Sequence, residues 1–245
     1  MMRTLVFLPA WNEQDSVVQT LAEIREELPG VELLVIDDGS DDSTVERVRA
    51  AGVTVAPFPF HIGIGAAVHA GYLYAAREGY DYCAHLDADG QHPAGELHKL
   101  LSAVQEGRCD LAVGSRYLES GGHPGSYSAP FLRRVGIALF RRLLSWQTGA
   151  RFTDTTSGFR AANKRMLCFF AFRYASDYPE LESLQNAVAY GFKVCELAVW
   201  VRPRTIGRSK ITPLQSLHFV WKSLFAIALG FLPRHRASAY LERKT

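Results

Sequence analysis

Tyr82-Cys83-Ala84-His85-Leu86-Asp87-Ala88-Asp89-Gly90-Gln91-His92-Pro93 is the stretch that decides the fold. A short, largely apolar run, Tyr82 to Leu86, reads as a buried strand. It stops at two carboxylates spaced two residues apart, followed by a glycine and a proline that force a turn. In an open α/β sheet, ligands bind beyond the carboxyl ends of the parallel strands, so acidic residues at a strand end point to a site. Carboxylate-x-carboxylate pairs arise by chance roughly two to three times in a chain of this composition, and position is what singles this one out. Hard carboxylate oxygens at Asp87 and Asp89, with Gln91 supplying a third oxygen, suit Mg²⁺ or Mn²⁺.

The same pattern recurs upstream. Thr4 to Leu8 is an apolar run closed by Pro9, and Asp15 or Ser16 is placed to cap a helix whose apolar face is Val17, Val18, Leu21, Ile24 and Leu28. Pro29-Gly30 ends it. Val31 to Ile36 is a second strand and runs into Asp37-Asp38-Gly39-Ser40. There the glycine supplies unusual dihedrals and Ser40 is a candidate cap for a helix over 43–50. Val53 to Ala56, a small-residue helix over 65–78, and Leu111 to Gly114 continue the alternation. Beyond Tyr117 and the 121–125 Gly-Gly-His-Pro-Gly segment, the pattern becomes less regular.

The chain has 245 residues, 48% hydrophobic and 21% charged. At that size roughly 70% of the unfolded surface can be buried without disulfides or structural metals. A net charge of +2 is too mild to argue for a nucleic-acid binder, so no nucleic-acid partner is expected. The four cysteines, at 83, 109, 168 and 195, share no C-x-x-C spacing and are expected as buried, reduced thiols in the cytoplasm. The N-terminus lacks a signal-peptide pattern, and no apolar run is long enough to span a bilayer. Two segments look built for a membrane surface instead. One is a basic amphipathic stretch over 131–146, bearing Arg133, Arg134, Arg141 and Arg142. The other is the apolar stretch over 219–232.

Several enzyme classes drop out. Gly63-Ile64-Gly65 lacks the third glycine of a dinucleotide fingerprint, and no phosphate-binding P-loop or G-x-S-x-G nucleophile elbow occurs.

The ordered set of motifs is more specific than any member. It comprises Pro9-Ala10-Trp11-Asn12-Glu13, Asp37-Asp38-Gly39-Ser40, Gly63-Ile64-Gly65-Ala66-Ala67, Asp87-Ala88-Asp89, Gly114-Ser115-Arg116-Tyr117, Thr156-Ser157-Gly158-Phe159-Arg160, and Arg204 with Gly207, Ser209 and Lys210. In this order over about residues 4–212, the chain resembles the inverting family 2 glycosyltransferases of GT-A fold, in particular their dolichyl- or polyprenyl-phosphate mannose (or glucose) synthase branch. The resemblance implies a Rossmann-like nucleotide-binding sheet that becomes mixed in its second half. It implies a catalytic domain over 1–212 and, over 213–245, C-terminal amphipathic helices at the membrane interface.

It also implies a nucleoside-diphosphate sugar donor, a polyprenyl phosphate acceptor, and Mg²⁺ or Mn²⁺ at Asp87, Asp89 and Gln91. Pro9, Trp11 and Glu13 would line the nucleoside, with Asp37 and Gly65 in the same donor subsite. Asp38 would accept a hydrogen bond from the base, and Asp87 would face ribose or sugar. Arg116, Arg204 and Lys210 would neutralise phosphates, and Asp154 and Ser157 would line the acceptor cleft. His61 stands where family members often carry Asn. The alternatives are transfer to a sugar hydroxyl of a glycan or glycolipid, with Asp154, Glu180 or Glu182 as base, and an inactive nucleotide-sugar-binding protein. The expected location is cytoplasmic, peripheral on the inner face of the membrane, with a homo-oligomer left open.

Overall fold

The computed structural model describes residues 2–118, 141, 142, 145, 151–174 and 179–202. The expected alternation is present as β1 (Thr4–Ala10), α1 (Val17–Glu27), β2 (Glu32–Asp37), α2 (Thr44–Ala50), β3 (Thr54–Pro57), α3 (Ile64–Arg77) and β4 (Tyr82–His85). A 3-10 turn (Ala94–Glu96) leads into α4 (Leu97–Gln105), and β5 spans Leu111–Ser115. Then come β6 (Arg160–Asn163), α5 (Lys164–Phe172), α6 (Pro179–Ala189) and β7 (Val194–Ala198).

Among the described residues these strands form one seven-stranded sheet in the order β3-β2-β1-β4-β6-β5-β7. All pairings are parallel except those of β6, which runs antiparallel to both β4 and β5. The sheet is therefore mixed in its second half.

Burial on both faces explains the continuous apolar runs. Along β1, Leu5 and Phe7 point into a cluster with Leu34, Ile36, Tyr72 and Phe170, under α3, α5 and α6. Val6 and Leu8 point into the opposite cluster with Leu21, Val35, Val48 and Leu100, under α1, α2 and α4.

Register gathers the motifs. Ala10 pairs with Asp37 and Phe7 with His85, so the segments that follow β1, β2 and β4 emerge at one edge. Because β6 is antiparallel, its first residue, Arg160, pairs with His85. The 154–159 segment preceding β6 is thus delivered to that same edge.

Three expectations need correction. Ser16 occupies the N-cap position of α1 without making a side-chain cap bond. Its hydroxyl donates instead to Glu13 Oε2 at 2.9 Å. Ser40 caps nothing, since Ser43 holds the N-cap position of α2 and the Ser40 hydroxyl is bound to Asp37. The cysteines are not all reduced and buried. Cys109 and Cys195 form a disulfide, Cys83 is buried and Cys168 is exposed. Parallel pairing of β5 with β7, with Ala112 opposite Cys195, brings together thiols 86 residues apart. The thiol argument for a reducing compartment loses its footing at that pair.

The C-terminal segment over 213–245, the 219–232 stretch, Arg204 and Lys210 lie outside the described residues, as does the 1–212 domain boundary. Of the basic stretch, Arg141 and Arg142 are helical and exposed. Arg141 Nε donates to the Phe152 carbonyl at 2.9 Å. No helix among the described residues is long and apolar enough to cross a membrane.

Candidate active site

At the carboxyl edge lies a cleft of about 210 Å³ whose lining includes Pro9, Trp11, Glu13, Asp38, Asp87 and Asp89, six of the residues singled out from sequence. Ala10, His61, Ile64, Ala67 and Ala88 complete its wall.

The loop after β1 is fixed by the loop after β2. Asn12 takes a left-handed φ of 54°, and its amide donates to Ser40 Oγ at 2.9 Å while its side-chain oxygen accepts from the Asp41 amide at 3.0 Å. The Glu13 amide donates to Thr44 Oγ1 at 2.9 Å. Asp37 is buried and accepts from the Ser40 amide at 3.1 Å. It supports the cleft from behind instead of lining it. Gly65, buried in the first turn of α3, likewise sits behind its neighbours Ile64 and Ala67.

Asp38 is only 3% exposed and its oxygens are in use. Oδ1 accepts from the amides of Ile62 at 2.8 Å and Gly63 at 3.1 Å. Oδ2 accepts from Gly63 at 2.9 Å and faces His61 Nδ1 at 2.9 Å. Three donors, the Ile62 and Gly63 amides and the His61 ring, thus share the two Asp38 oxygens. Asp38 holds the 61–63 turn while still lining the cleft.

Asp87 and Asp89 share a small region of negative potential. Burial, then the charges of Asp89, Glu180 and Glu13, push the Asp87 carboxyl up to about 7, with Arg116 partly opposing them. Asp89 Oδ1 accepts from the Gln91 amide at 3.0 Å, which shapes the turn. Beside it His92 is buried against Phe159, its Nδ1 without a hydrogen-bond partner, and burial lowers its pKa to about 4.

Two carboxylates are fewer than a protein-only metal cage needs, and among the described residues no group of three such ligands occurs. The set does fit Mg²⁺ or Mn²⁺, which commonly take one or two carboxylates and complete their shell with water and substrate phosphate oxygens. The raised Asp87 carboxyl has a measurable consequence. A folded-state value of about 7, above the ordinary 3.8, adds stability below pH 4 that is lost as pH rises through 7. Without divalent cation, stability should fall over this window by up to about 4 kcal/mol, less because the carboxyl is partly hydrated. Asp87→Asn should flatten that slope, as read from thermal unfolding in chelator at pH 4 to 8. An unchanged slope would show that Asp87 does not titrate there.

Across the cleft, Arg116 and Asp154 form a two-pronged pair, Nε to Oδ2 at 2.6 Å and the terminal nitrogen to Oδ1 at 2.8 Å, with Asp154 fully buried. The same Arg116 nitrogen donates to Thr156 Oγ1 at 2.9 Å. Burial pushes the Asp154 carboxyl up, but the Arg116 bond and charge more than offset it and hold it below its usual range. Asp154 is thus a partner of Arg116, with neither oxygen free to act as a base. Ser157 is buried and its hydroxyl accepts from the Phe159 amide at 3.2 Å, so it shapes its own turn. The adjoining Gly158 lies against Asp87, where an added Cβ would stand 3.6 Å from Oδ1.

Two contributors escaped the sequence reading. Glu196 on β7 accepts from the Thr153 amide and hydroxyl at 2.6 and 2.9 Å and from the Asp154 amide at 2.7 Å, which sets the Asp154 loop. Glu23 on α1 takes both prongs of Arg202 at 2.7 and 2.8 Å and the Ala94 amide at 2.9 Å. The Arg202 amide donates to the Gln91 carbonyl at 2.8 Å. Neither glutamate stands in a recognisable motif, and each works through partners far away in sequence.

The chain is 31% identical over 230 residues to the polyprenol monophosphomannose synthase of Mycolicibacterium smegmatis, covering 86% of this chain and 81% of that one. It is 29% identical over 227 residues to the undecaprenyl-phosphate mannosyltransferase of Micrococcus luteus, covering 86% and 88%. Among solved structures, glucosyl-3-phosphoglycerate synthase from Mycobacterium tuberculosis, in complex with Mn²⁺, uridine diphosphate and phosphoglyceric acid, superposes with a TM-score of 0.70. That match has 23% identity and covers 94% of this chain and 78% of that one. It shows the fold, a GT-A-like mixed sheet. Residues 5–173 match the family described as Glycosyl transferase family 2, and the chain belongs to that family of glycosyltransferases.

Proposed function

We propose that this glycosyltransferase moves a sugar from a nucleoside-diphosphate donor to a polyprenyl phosphate, with inversion at the anomeric carbon, giving a lipid-phosphate-linked sugar. The observation that carries the reading is that both mannosyl-transferring relatives, each similar over most of its length, are named for lipid-phosphate products or acceptors. The site agrees with them. A phosphate monoester is already largely ionised at neutral pH and needs no base to make it nucleophilic. The Asp154 carboxylate, an obvious candidate for such a base, is committed to Arg116.

In this reading Asp87, Asp89 and Gln91 hold Mg²⁺ or Mn²⁺, which supplies charge compensation for the departing diphosphate. Pro9, Trp11 and Glu13 line the nucleoside, and Asp87 faces ribose or sugar. Arg116, held by Asp154 and near enough for its charge to lower the Asp87 carboxyl, adds positive charge for the diphosphate. Arg204 and Lys210 supply further cations for donor and acceptor phosphates. Ser157 shapes the acceptor side through its turn. The enzyme acts as a peripheral protein on the inner face of the membrane, where its acceptor lies.

One observation favours transfer to a sugar hydroxyl. Burial holds the Glu180 carboxyl above its ordinary range, and Asp87 senses its charge, as expected of a base placed near the reacting centre. The readings part on nucleoside diphosphate release from a donor panel, with and without polyprenyl phosphate. Release that requires the lipid phosphate and survives Glu180→Gln supports the first. Transfer to a neutral glycan that is lost in Glu180→Gln overturns it.

A further inference from the structure

The 61–63 turn is the best-anchored part of the cleft wall that the proposed chemistry leaves without a task. Asp38 binds it through two amides and the His61 ring, as described above. Gly39 lets it approach. With φ at +70°, any Cβ there would run into the backbone of Phe60 and lie 2.6 Å from the His61 nitrogen. The flat face of His61 then stacks on Trp11, with ring centroids 4.1 Å apart and planes at 19°. A half-exposed imidazole, 47% accessible, is thereby held at its Nδ1 edge and on one face.

This anchoring fixes which nitrogen does what. Nδ1 faces only acceptors, the Asp38 carboxylate at 2.9 Å and the Asp38 carbonyl at 3.3 Å, so Nδ1 carries the proton. In the neutral ring Nε2 is then a lone-pair acceptor. With Nδ1 pinned to the buried Asp38, Nε2 is the ring nitrogen left for a ligand in the cleft that His61 lines. The Trp11 and His61 rings are already in contact, so a nucleobase cannot slide between them and meets His61 at its edge.

We propose that His61 selects the nucleoside of the donor, accepting a hydrogen bond from a base whose pairing edge carries a ring N–H (uracil or guanine). Cytosine and adenine present a ring acceptor at that edge and are disfavoured, because two lone pairs would face each other. The proposal rests on the nucleotide-sugar reading and adds what that reading lacks, a residue that chooses among nucleotides. It also gives Asp38 a further part, as a positioning residue that sets the His61 tautomer.

The test is calorimetric binding of uridine, cytidine, guanosine and adenosine diphosphates to the full chain with Mg²⁺ at pH 8. Comparison within each size class removes the effect of ring size. Uridine over cytidine diphosphate, or guanosine over adenosine diphosphate, should differ by about tenfold or more. His61→Phe keeps a flat ring for Trp11 and removes the nitrogens, and the ratio should collapse to within about threefold. His61→Gln, which can present an amide oxygen, should recover part of it, and thermal unfolding confirms that both variants fold. Equal binding within both size classes, or a ratio that survives in His61→Phe, overturns the assignment while leaving the nucleotide-sugar reading in place. If none of the four nucleotides binds, that reading fails and this one with it.

Discussion

Asp89→Ala should lower turnover by about a thousandfold or more. Removing one of two adjacent carboxylates takes away charge compensation for the diphosphate, worth several kcal/mol in the transition state, and about 1.4 kcal/mol is tenfold. Asp89→Asn is the sharper variant. Its amide oxygen can still accept the Gln91 amide bond that shapes the turn, at 3.0 Å in the native protein, so loss of activity there reports charge rather than geometry. Chelation of the native enzyme should reproduce the effect, and the measurement is steady-state sugar transfer. Turnover within about threefold of the native rate, under roughly 1 kcal/mol, would remove the cation-holding role from this pair.

The second large effect is expected at Asp154, and on stability as much as on rate. Asp154→Ala leaves the Arg116 guanidinium, whose side chain is 12% exposed, without its carboxylate. Breaking a buried pair by removing one member costs about 3–5 kcal/mol. Urea unfolding should show that loss at neutral pH. The sign of the Asp154 shift says that this stabilisation is present above the ordinary carboxylate pKa and vanishes as pH falls through its depressed value. Activity should fall too, because Arg116 loses its aim, yet the pH profile of the remaining turnover should keep its shape. A disappearing limb in that profile, with stability intact, would mark Asp154 as a general base and reinstate the hydroxyl acceptor.

The sequence was most legible where local chemistry decides structure. β1, β2 and β4 are apolar runs buried on both faces, and Asp37 and Asp87 marked the edge they share; Pro9 did not close β1, which runs through it to Ala10 with Pro9 paired to Ile36. β6 could not be read. Arg160-Ala161-Ala162-Asn163 has neither a long apolar run nor β-branched residues, and it is a strand because its small side chains fit between β4 and β5. The motif residues were found as a set, but their partners were not. Asp154 carries no mark in its own neighbourhood that Arg116 claims it, and nothing around Asp38 announces that a turn over twenty residues onward binds its oxygens. Pairings of this kind belong to the sheet order, which single-chain periodicity does not encode.

That sheet order also governs how the chain can be made. β6 is threaded between β4 and β5, so neither of those strands finds its inner neighbour until the residues around Arg160 exist. Roughly 75 residues separate the end of β4 from that point, several seconds of synthesis at about 5–20 residues per second. For that interval β4 presents an open hydrogen-bonding edge, the sort of surface that recruits other strands. Nascent chains arrested before residue 160 should therefore aggregate or engage chaperones more readily than chains arrested after residue 200, as sedimentation of stalled ribosome complexes would show. Equal solubility at both lengths would mean the first four strands protect themselves. The late antiparallel strand that carries the 154–159 segment to the cleft makes the enzyme's active edge and the closure of its fold one event.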